Sequence, residues 1–151
     1  MTSGIKVVAR SKKAHFNYEL LERYEAGIVL LGSEVKSIRN GKVSINEAYA
    51  RVRGGEVWLI NSDVSPYEFS ALNNHEPKRQ RKLLLKKREI GKIIGKTKER
   101  GLTLVPVSLY FKDGFVKVEI ALARGKRKYD KRESIQKREA DRDLRRRMSK
   151  G

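Results

Sequence analysis

The sequence offers few side chains with the types and spacing of a catalytic centre. Its two histidines, His15 and His75, lie far apart in the chain, and no pair of residues shows the spacing of metal ligands. There is no cysteine, no GxxxxGKS phosphate loop and no nucleophile elbow. Glu25, Glu34 and Glu47 could form an acidic cluster for metal-dependent phosphodiester cleavage, although such carboxylates more often serve as caps and surface partners. We therefore expect no enzymatic activity, no cofactor and no bound metal.

Phosphate binding is the chemistry for which the composition is suited. The 151 residues include 36 Lys and Arg against 18 Asp and Glu, a net charge of +18. Two blocks hold most of this excess. Residues 78–100 contain 11 Lys or Arg and two Glu, and residues 124–151 contain 13 Lys or Arg and five Asp or Glu. Charge at this density favours RNA, DNA or an anionic membrane as the partner.

The second basic block predicts a tail. Its aliphatic residues are Ile135, Leu144 and Met148, too few to offset the entropy that the backbone loses on ordering. In its second half, three pairs of residues lie four apart, which gives weak support to a helix: Arg138 and Arg142, Asp141 and Arg145, and Leu144 and Met148. We predict a folded domain over residues 1–124 and a tail over residues 125–151 that is disordered when free and becomes helical only against a polyanionic partner.

The remaining composition is typical of a water-soluble domain. Hydrophobic residues make up 38% of the chain and lie mostly before the tail, so a core can form there. The N-terminus lacks the apolar segment of a secretory signal. No apolar run approaches the roughly 18 residues of a membrane span. We expect a cytoplasmic monomer that makes no membrane contact.

Short strands are predicted over most of the domain. After a mobile basic start, residues 16–31 are predicted to form two strands with a turn near residues 23–25. Pro106 predicts an edge strand or a bulge, and Trp58, Tyr110 and Phe111 are expected in the core. Two hairpins are indicated by glycine-containing turns: residues 45–53 with 56–60 across Gly54-Gly55, and residues 102–111 with 115–122 across Asp113-Gly114. In the last of these strands, alternation predicts an inward row of Val116, Val118, Ile120 and Leu122.

Two helical regions are predicted between these strands. Glu34–Arg39 forms a short helix with Ser33 as its N-cap, and Asn40-Gly41 ends it. The first basic block, residues 78–100, forms one or two helices that end at Gly101, and their leucines and isoleucines dock on the strands while the cations point outward.

The first basic block also contains Gly91 and Gly95, which we expect at close-packed positions of its helix. The simpler alternative for the whole block is a solvated amphipathic helix without a partner. About six short strands, one short helix and this helical insert are typical of a mainly β domain. Within it we expect an oligonucleotide-binding-like barrel, an architecture that binds nucleic acid on a strand face.

Five blocks, in order along the chain, together resemble one family. They are ARSKKAHFNY (9–18), YEAGIVLLGSEVKSIRNGK (24–42), PKRQRKLLLKKREI (77–90), GLTLVPVSLYFKDGFVKVEIALARGK (101–126) and YDKRE (129–133). These blocks resemble small protein B, the SsrA-binding proteins that partner transfer-messenger RNA (tmRNA) in bacterial ribosome rescue. The resemblance covers nearly the whole chain.

The resemblance implies an oligonucleotide-binding-like barrel of about six strands with three helices. It also implies a function. One barrel face would hold the elbow of the tRNA-like domain of tmRNA, and the tail would fold as a helix in the empty decoding centre and mRNA channel of a stalled ribosome. The expected partners are therefore tmRNA and the small-subunit ribosomal RNA.

The resemblance also assigns site residues. Glu25 matches the glutamate of the EAG block and Leu84 the functional leucine of RKLLL. The full set expected to bind RNA is Ser11, Lys12, Lys13, Glu25, Arg81, Lys82, Leu84 and Lys86. The set expected in the decoding centre is Gly125, Lys126, Tyr129, Asp130, Lys131 and Arg132.

Two of these positions depart from the family pattern. Ser11 stands where relatives often carry an asparagine, so the RNA contact there is weaker or is remade by the hydroxyl. Tyr129 stands where some relatives have histidine, and tyrosine does not titrate near neutrality.

Two other functions remain open on the residues alone. A general RNA-binding or ribosome-associated protein would share the basic surface but would show no preference for tmRNA. A metal-dependent nuclease would cleave RNA and would lose that activity in Glu25→Gln.

Overall fold

The computed structural model describes residues 4–68 and 74–126. The three helices of this part are α1 (Lys12–Asn17), α2 (Gly32–Arg39) and α3 (Lys87–Arg100). Its strands are β1 (Ile5–Arg10), β2 (Tyr18–Ile28), β3 (Val43–Ser44), β4 (Tyr49–Arg53), β5 (Glu56–Ile60), β6 (Asp63–Val64), β7 (Arg81–Leu84), β8 (Thr103–Lys112) and β9 (Phe115–Gly125).

One large antiparallel sheet dominates the structure. Seven strands follow the order β1-β8-β9-β2-β7-β5-β4, and β3 pairs with β6 in a small second sheet. The large sheet curls until β4, at one edge, contacts β8 near the other. This open, barrel-like sheet with three helices confirms the predicted fold class.

The inner face of the curled sheet holds the main core. Val118 and Ile120 of β9 point inward, as their alternation predicts, and are fully buried. Ile38 of α2 and Ile93 of α3 pack against these inward residues and complete the main core. A smaller cluster lies on the other side of the sheet, where Ala14 of α1 packs on small apolar residues of β8 and β9.

Both predicted hairpins are present, and their turns have the expected backbone. Asp113 and Gly114 have φ values of 51° and 85°, a left-handed pair that suits the twist of the flanking strands. The register of β8 against β9 shifts between Pro106 and Ser108, and β8 is not an edge strand, so of the two alternatives predicted at Pro106 the bulge is confirmed. The short helix also ends as predicted, because Asn40 is the C-cap of α2 and Gly41 follows with a φ of 74°.

The start of the chain corrects two predictions. Residues 5–10 form a strand against β8, although we expected a mobile start. Residues 18–28 form one continuous strand, without the predicted turn near Arg23 and Glu25. These charged residues belong to the outward side of the strand, where Arg23 pairs with Glu119 and Glu25 accepts a hydrogen bond from Tyr110. The turn was wrongly predicted because consecutive charged residues are typical of turns, whereas here they alternate to the outward side of a strand.

The N-terminus of α2 also differs from the prediction. Its N-cap is Leu31, not Ser33, and the Leu31 N–H donates to Oε1 of Glu34 at 2.8 Å. Ser33 lies inside the helix, buried beside His75, whose Nδ1 is 2.8 Å from the Ser33 hydroxyl. A glutamate at the third helical position can satisfy the first N–H groups from within the helix.

The first basic block is where the prediction of helix was partly wrong. Its first part is the strand β7, which lies between β2 and β5 and buries Leu83 completely. Its second part is α3, which ends at the left-handed Gly101 as predicted. Gly91 and Gly95 are not close-packed, because a Cβ at either position would have nothing within 4 Å. Within the described residues no helix is long and apolar enough to cross a membrane.

Candidate nucleic-acid interface

The strands β2, β7, β8 and β9 turn one row of side chains each away from the main core. Residues directly opposite one another in a sheet share a face. The register therefore places Glu25 beside Glu119, Gly27 between Leu84 and Lys117, and Tyr110 beside Lys117. We call this surface the outer sheet face; its residues are Arg23, Glu25, Gly27, Lys82, Leu84, Ser108, Tyr110, Lys112, Phe115, Lys117 and Glu119.

Glu25 lies near the centre of the outer sheet face with two donors fixed against it. The Tyr110 hydroxyl donates to Oε2 of Glu25 at 2.5 Å, and Nζ of Lys112 lies 3.2 Å from Oε1. The hydrogen bond from Tyr110 lowers the pKa of Glu25; burial opposes this shift, and the Lys112 ammonium adds to it. Burial and the same hydrogen bond raise the pKa of Tyr110, so the phenol stays a donor. The site therefore presents an oriented carboxylate with lone pairs still free.

Glu119 faces Glu25 across the β2–β9 pair and has its own cation. The Arg23 guanidinium donates to Oε1 of Glu119 at 2.8 Å. Two carboxylates directly opposite each other would repel. The separate pairing of Glu25 with Lys112 and of Glu119 with Arg23 offsets that repulsion. The centre of the outer sheet face therefore consists of two neighbouring ion pairs.

Leu84 and Phe115 form an apolar edge of the outer sheet face. Their side chains remain exposed, Leu84 at 51% and Phe115 at 71%. Gly27 lies between Leu84 and Lys117, and a Cβ at Gly27 would come within 3.3 Å of the Leu84 Cβ. The glycine thus lets Leu84 lie flat over β2. An exposed groove with apolar walls and a lysine at its rim can accept a base or a ribose.

Three of the expected RNA-binding residues lie around α1, at one end of the sheet. Lys12 and Lys13 are exposed, and Lys13 forms an ion pair with Glu47 at 2.6 Å. Ser11 is buried, with 4% of its surface exposed, and its hydroxyl accepts from the Ala14 N–H at 3.3 Å. The Ser11 hydroxyl is therefore the N-cap of α1.

The other expected residues lie on and after β7. The half-buried Lys82 shares the outer sheet face with Leu84, and its Nζ is 3.7 Å from Oε1 of Glu56. Lys86 is an exposed residue at the N-cap of α3. Arg81, in contrast, points into the molecule and is 0% exposed. Its side chain belongs to the interior, and we leave it out of the proposed RNA surface.

Arg81 belongs to a buried charge cluster that packs against the inner side of β7. Its Nε donates to Oε2 of Glu34 at 2.6 Å, and its Nη1 donates to the Ser62 hydroxyl at 2.9 Å. Arg79 donates to Oε1 of Glu34 at 2.6 Å. Burial alone would raise the pKa of Glu34, but hydrogen bonds from Arg79, Leu31 and Arg81 hold it below its usual value. The cluster therefore joins the start of α2 to β7 and fixes the strand that carries Leu84.

The three carboxylates considered for a metal-dependent nuclease do not meet. Glu25 lies on the outer sheet face, Glu34 is buried against two arginines, and Glu47 pairs with Lys13 on the surface. Within residues 4–68 and 74–126, no group of three or more acidic or histidine side chains could hold a metal ion.

Of the expected tail residues, the structure describes Gly125 and Lys126. Gly125 ends β9, and the Lys126 N–H donates to the carbonyl of Asn17 at 2.8 Å. Lys126 also donates from Nζ to the carbonyl of His15 at 2.9 Å, so the chain leaves the sheet beside α1. Tyr129, Asp130, Lys131 and Arg132 lie outside the described residues.

Sequence reasoning missed several residues of the outer sheet face. Tyr110 is buried as expected, at 8% exposure, but the sequence did not predict that its hydroxyl donates to Glu25 on the outer sheet face. Trp58 was also expected in the core, but it lies on β5 next to the outer sheet face and is only partly buried. The central carbon of the Arg53 guanidinium lies 4.8 Å from the centroid of its ring. Lys112 and Phe115 flank the Asp113-Gly114 turn, and alternation on the two strands could have placed them on one face. The missing information was which strands pair with β2.

The fold defines a class, the small β-barrel-like proteins, an architecture that binds nucleic acid on a strand face in several of its members. The family model described as "SmpB protein" matches residues 8–150. An SsrA-binding protein of Geobacillus kaustophilus is 57% identical over 93% of this chain and 91% of its own length. One of Carboxydothermus hydrogenoformans is 55% identical over 92% of this chain and 93% of its own length.

A solved structure agrees with these relatives. It is described as "tmRNA-SmpB: a journey to the center of the bacterial ribosome", with a TM-score of 0.65 and 46% identity over 83% of this chain and 92% of that one. The chain therefore belongs to the SmpB protein family.

Proposed function

We propose that this protein is the RNA-binding adaptor that brings tmRNA to stalled ribosomes for trans-translation, and that it acts by binding and not by catalysis. Its membership of the SmpB family supports the partner. The outer sheet face supports the mode of binding, and the single observation that carries it is the ionised, oriented Glu25 beside the exposed Leu84.

Glu25 is suited to reading RNA groups other than phosphate. A carboxylate repels phosphate, but it accepts hydrogen bonds from a ribose 2′-OH or from a base edge. Leu84 then packs against a base or ribose at the irregular elbow of the tRNA-like domain. Lys12, Lys13, Lys82 and Lys86 contact phosphates at the margins and set the orientation of the RNA.

The tail completes the proposed division into two regions. Gly125 and Lys126 lead from β9 into residues whose charges suit a channel lined with ribosomal RNA. We assign Tyr129, Asp130, Lys131 and Arg132 to the decoding centre. Folding of a segment on contact costs ordering entropy, so the tail binds there only when mRNA has left the channel empty.

Affinity for tmRNA tests the partner. The full chain is titrated, at physiological salt, with the tRNA-like domain of tmRNA and with an unrelated structured RNA of equal length. We expect a preference of a hundredfold or more, about 2.7 kcal/mol. Equal binding to the two RNAs would mean that the net charge alone explains the affinity and would favour a general RNA-binding protein.

Truncation after Gly125 tests the division into two regions. We expect the truncated chain to keep its affinity for the tRNA-like domain within about threefold, or about 0.7 kcal/mol. Tagging of a nascent chain on a stalled ribosome should be lost. Loss of RNA binding in the folded, truncated chain would contradict the division.

A further inference from the structure

Tyr110 contacts Glu25 although the two residues lie on strands that do not pair. Tyr110 belongs to β8 and Glu25 to β2, and β9 lies between these strands. The Tyr110 side chain reaches across β9, and its hydroxyl donates to Oε2 of Glu25 at 2.5 Å. Tyr110 is buried, with 8% of its surface exposed. Its ring therefore has a fixed position, and its hydroxyl gives one oxygen of the carboxylate a fixed partner.

The second donor to Glu25 defines the position of the carboxylate less well. Nζ of Lys112 lies 3.2 Å from Oε1 and 3.4 Å from Oε2, at the end of a flexible side chain. The side chains of Lys112 and Glu25 are 42% and 40% exposed. An exposed ion pair is screened by water and restricts its partners only weakly. Of these two donors, Tyr110 is the one that sets the direction of the carboxylate.

The direction of the carboxylate matters for the RNA contact that we propose. A hydrogen bond weakens steeply when its donor and acceptor are misaligned. The Tyr110 hydroxyl occupies one lone pair of Glu25, and the exposed part of the carboxylate still has lone pairs for a donor of the RNA. A carboxylate that is held at one oxygen loses less conformational entropy when the RNA binds.

We infer that Tyr110 is a positioning residue for RNA binding: its hydroxyl orients the Glu25 carboxylate toward a donor group of the RNA, and Tyr110 itself does not contact the RNA. The phenolic hydrogen is already donated to Glu25, and burial leaves little of the ring for a base to stack on. This inference rests on the proposed function because it takes RNA as the ligand of Glu25.

A second tyrosine offers a matched control on the opposite face of β2. The Tyr24 hydroxyl donates to Oε2 of Glu22 at 2.7 Å, and Lys96 of α3 pairs with the same carboxylate. Tyr24 lies opposite Ile120 of the inward row, so this group is on the inner side of the sheet. Tyr24→Phe therefore removes the same kind of hydrogen bond from a carboxylate to which we assign no part in RNA binding.

Affinity of the full chain for the tRNA-like domain of tmRNA, at physiological salt, tests the role of Tyr110. We expect Tyr110→Phe to weaken binding about fivefold, or about 1 kcal/mol, because Glu25 keeps its charge but loses its fixed direction. Water can replace the lost hydroxyl at the exposed carboxylate, so the variant should keep its thermal stability. Tyr24→Phe should bind within about twofold of the original chain. Unchanged binding by Tyr110→Phe, or an equal loss in Tyr24→Phe, would overturn the inference.

A double-mutant cycle separates action through Glu25 from direct contact with the RNA. If Tyr110 acts through Glu25, then Tyr110→Phe has no further effect on affinity in a chain that already carries Glu25→Ala. A tyrosine that touched the RNA, or that only stabilised the sheet, would give losses that add. Additive losses would therefore contradict the positioning role.

A pH profile of binding gives a readout that a change in stability alone would not move. The charged and titratable groups around Glu25 are Tyr110, Lys112, Lys117, Glu119 and Arg23. The hydrogen bond from Tyr110 is the main cause that lowers the pKa of Glu25, and burial opposes it. Without the hydroxyl this pKa rises, so Tyr110→Phe should lose affinity at a higher pH than the original chain and Tyr24→Phe. If all three chains lost affinity at the same pH, the inference would be wrong.

Failure of the proposed function would have a different signature. An original chain that binds the tRNA-like domain no better than an unrelated structured RNA of equal length would contradict the proposed function. An original chain that keeps this preference, together with a Tyr110→Phe variant that binds equally well, would contradict only the role of Tyr110.

Discussion

The outer sheet face and the exposed face of α3 are both rich in cations, but they use them differently. We call the second surface the α3 face; its exposed cations are Lys87, Arg88, Lys92, Lys98 and Arg100. On the outer sheet face, Arg23 pairs with Glu119, and Lys112 pairs with Glu25. On the α3 face, Arg88 and its neighbours form no ion pair among the described residues. On the outer sheet face, the carboxylates cancel much of the positive electrostatic potential of the cations. On the α3 face, the cations keep more of their positive potential.

This difference affects how each surface would interact with RNA. Paired charges hold side chains in fixed positions, so the RNA binding that we propose for the outer sheet face would depend on the match of hydrogen bonds and shape. Unpaired charges attract any phosphate, and the release of counterions makes that attraction strongly dependent on salt.

The largest effect on stability is expected when the buried charge cluster of Glu34, Arg79 and Arg81 is disrupted. Glu34→Gln should lower the free energy of unfolding by about 3–5 kcal/mol, because it leaves the buried Arg81 guanidinium without a counter-charge. Urea unfolding of the original and variant chains measures the change. Arg88→Gln on the α3 face is the matched control and should change the free energy of unfolding by less than about 0.5 kcal/mol.

The same residue makes a prediction about pH. The folded pKa of Glu34 is depressed, so its stabilisation is complete above the usual glutamate pKa and is lost as pH falls through the folded value. Stability should therefore fall with acid more steeply in the original chain than in Glu34→Gln. Parallel pH profiles for the two chains would show that Glu34 is not the group responsible.

Glu25→Gln distinguishes hydrogen bonding from attraction of phosphate. The change removes a negative charge, so a surface that acted by charge alone would bind RNA more tightly. We expect instead that affinity for the tRNA-like domain falls about tenfold or more, since hydrogen bonds to charged groups contribute about 1.5–3 kcal/mol. Titrations at two salt concentrations should give the same slope as the original chain. Tighter binding would contradict the assigned role.

Leu84→Ala tests the apolar edge of the outer sheet face. Loss of the exposed side chain should weaken binding of the tRNA-like domain by about 1 kcal/mol, roughly fivefold. Leu21→Ala, at a comparably exposed leucine outside this face, serves as the control. Fluorescence anisotropy measures both affinities. The role given to Leu84 fails if the two variants bind alike and both keep their thermal stability.

The smallest effect is expected for the surface ion pairs themselves. A double-mutant cycle on Arg23 and Glu119 should give a coupling energy of about 0.5 kcal/mol or less in unfolding, because exposed pairs are screened by water. The cycle on Lys96 and Glu22 should give a similarly small value. A coupling well above about 1 kcal/mol would mean that pairing serves stability more than positioning.

Local signals in the sequence predicted the elements that depend on neighbours along the chain. Asp113-Gly114 indicated its hairpin, and Gly101 marked the end of α3, because turns and caps depend on the backbone preferences of a few residues. The alternation on β9 predicted its inward row. The structure of these features does not depend on residues far away in the chain, so the local sequence was enough to predict them.

The same signals failed where distant residues decide the structure. Arg23 and Glu25 suggested a turn, but partners on β8 and β9 accommodate their charges within a strand. Arg81 and Leu83 lay in a basic block that suggested a helix. Arg81 donates a hydrogen bond to Glu34, which lies 47 residues earlier in the chain. The strands on both sides of β7 bury Leu83. Long-range pairing outweighs helix propensity there because burial contributes more free energy.

The sequence by itself determined the charge of this protein, the concentration of basic residues in residues 78–100 and 124–151, and the resemblance that led to its family. Glu25 and Leu84 were predicted as site residues through that resemblance. The tertiary structure decided which cations are free, because an ion pair depends on the distance between side chains and not on their number. The fold places Arg81 in the interior and pairs Lys112 with Glu25, and it leaves Arg88 and Lys92 of α3 without an ion pair among residues 4–68 and 74–126.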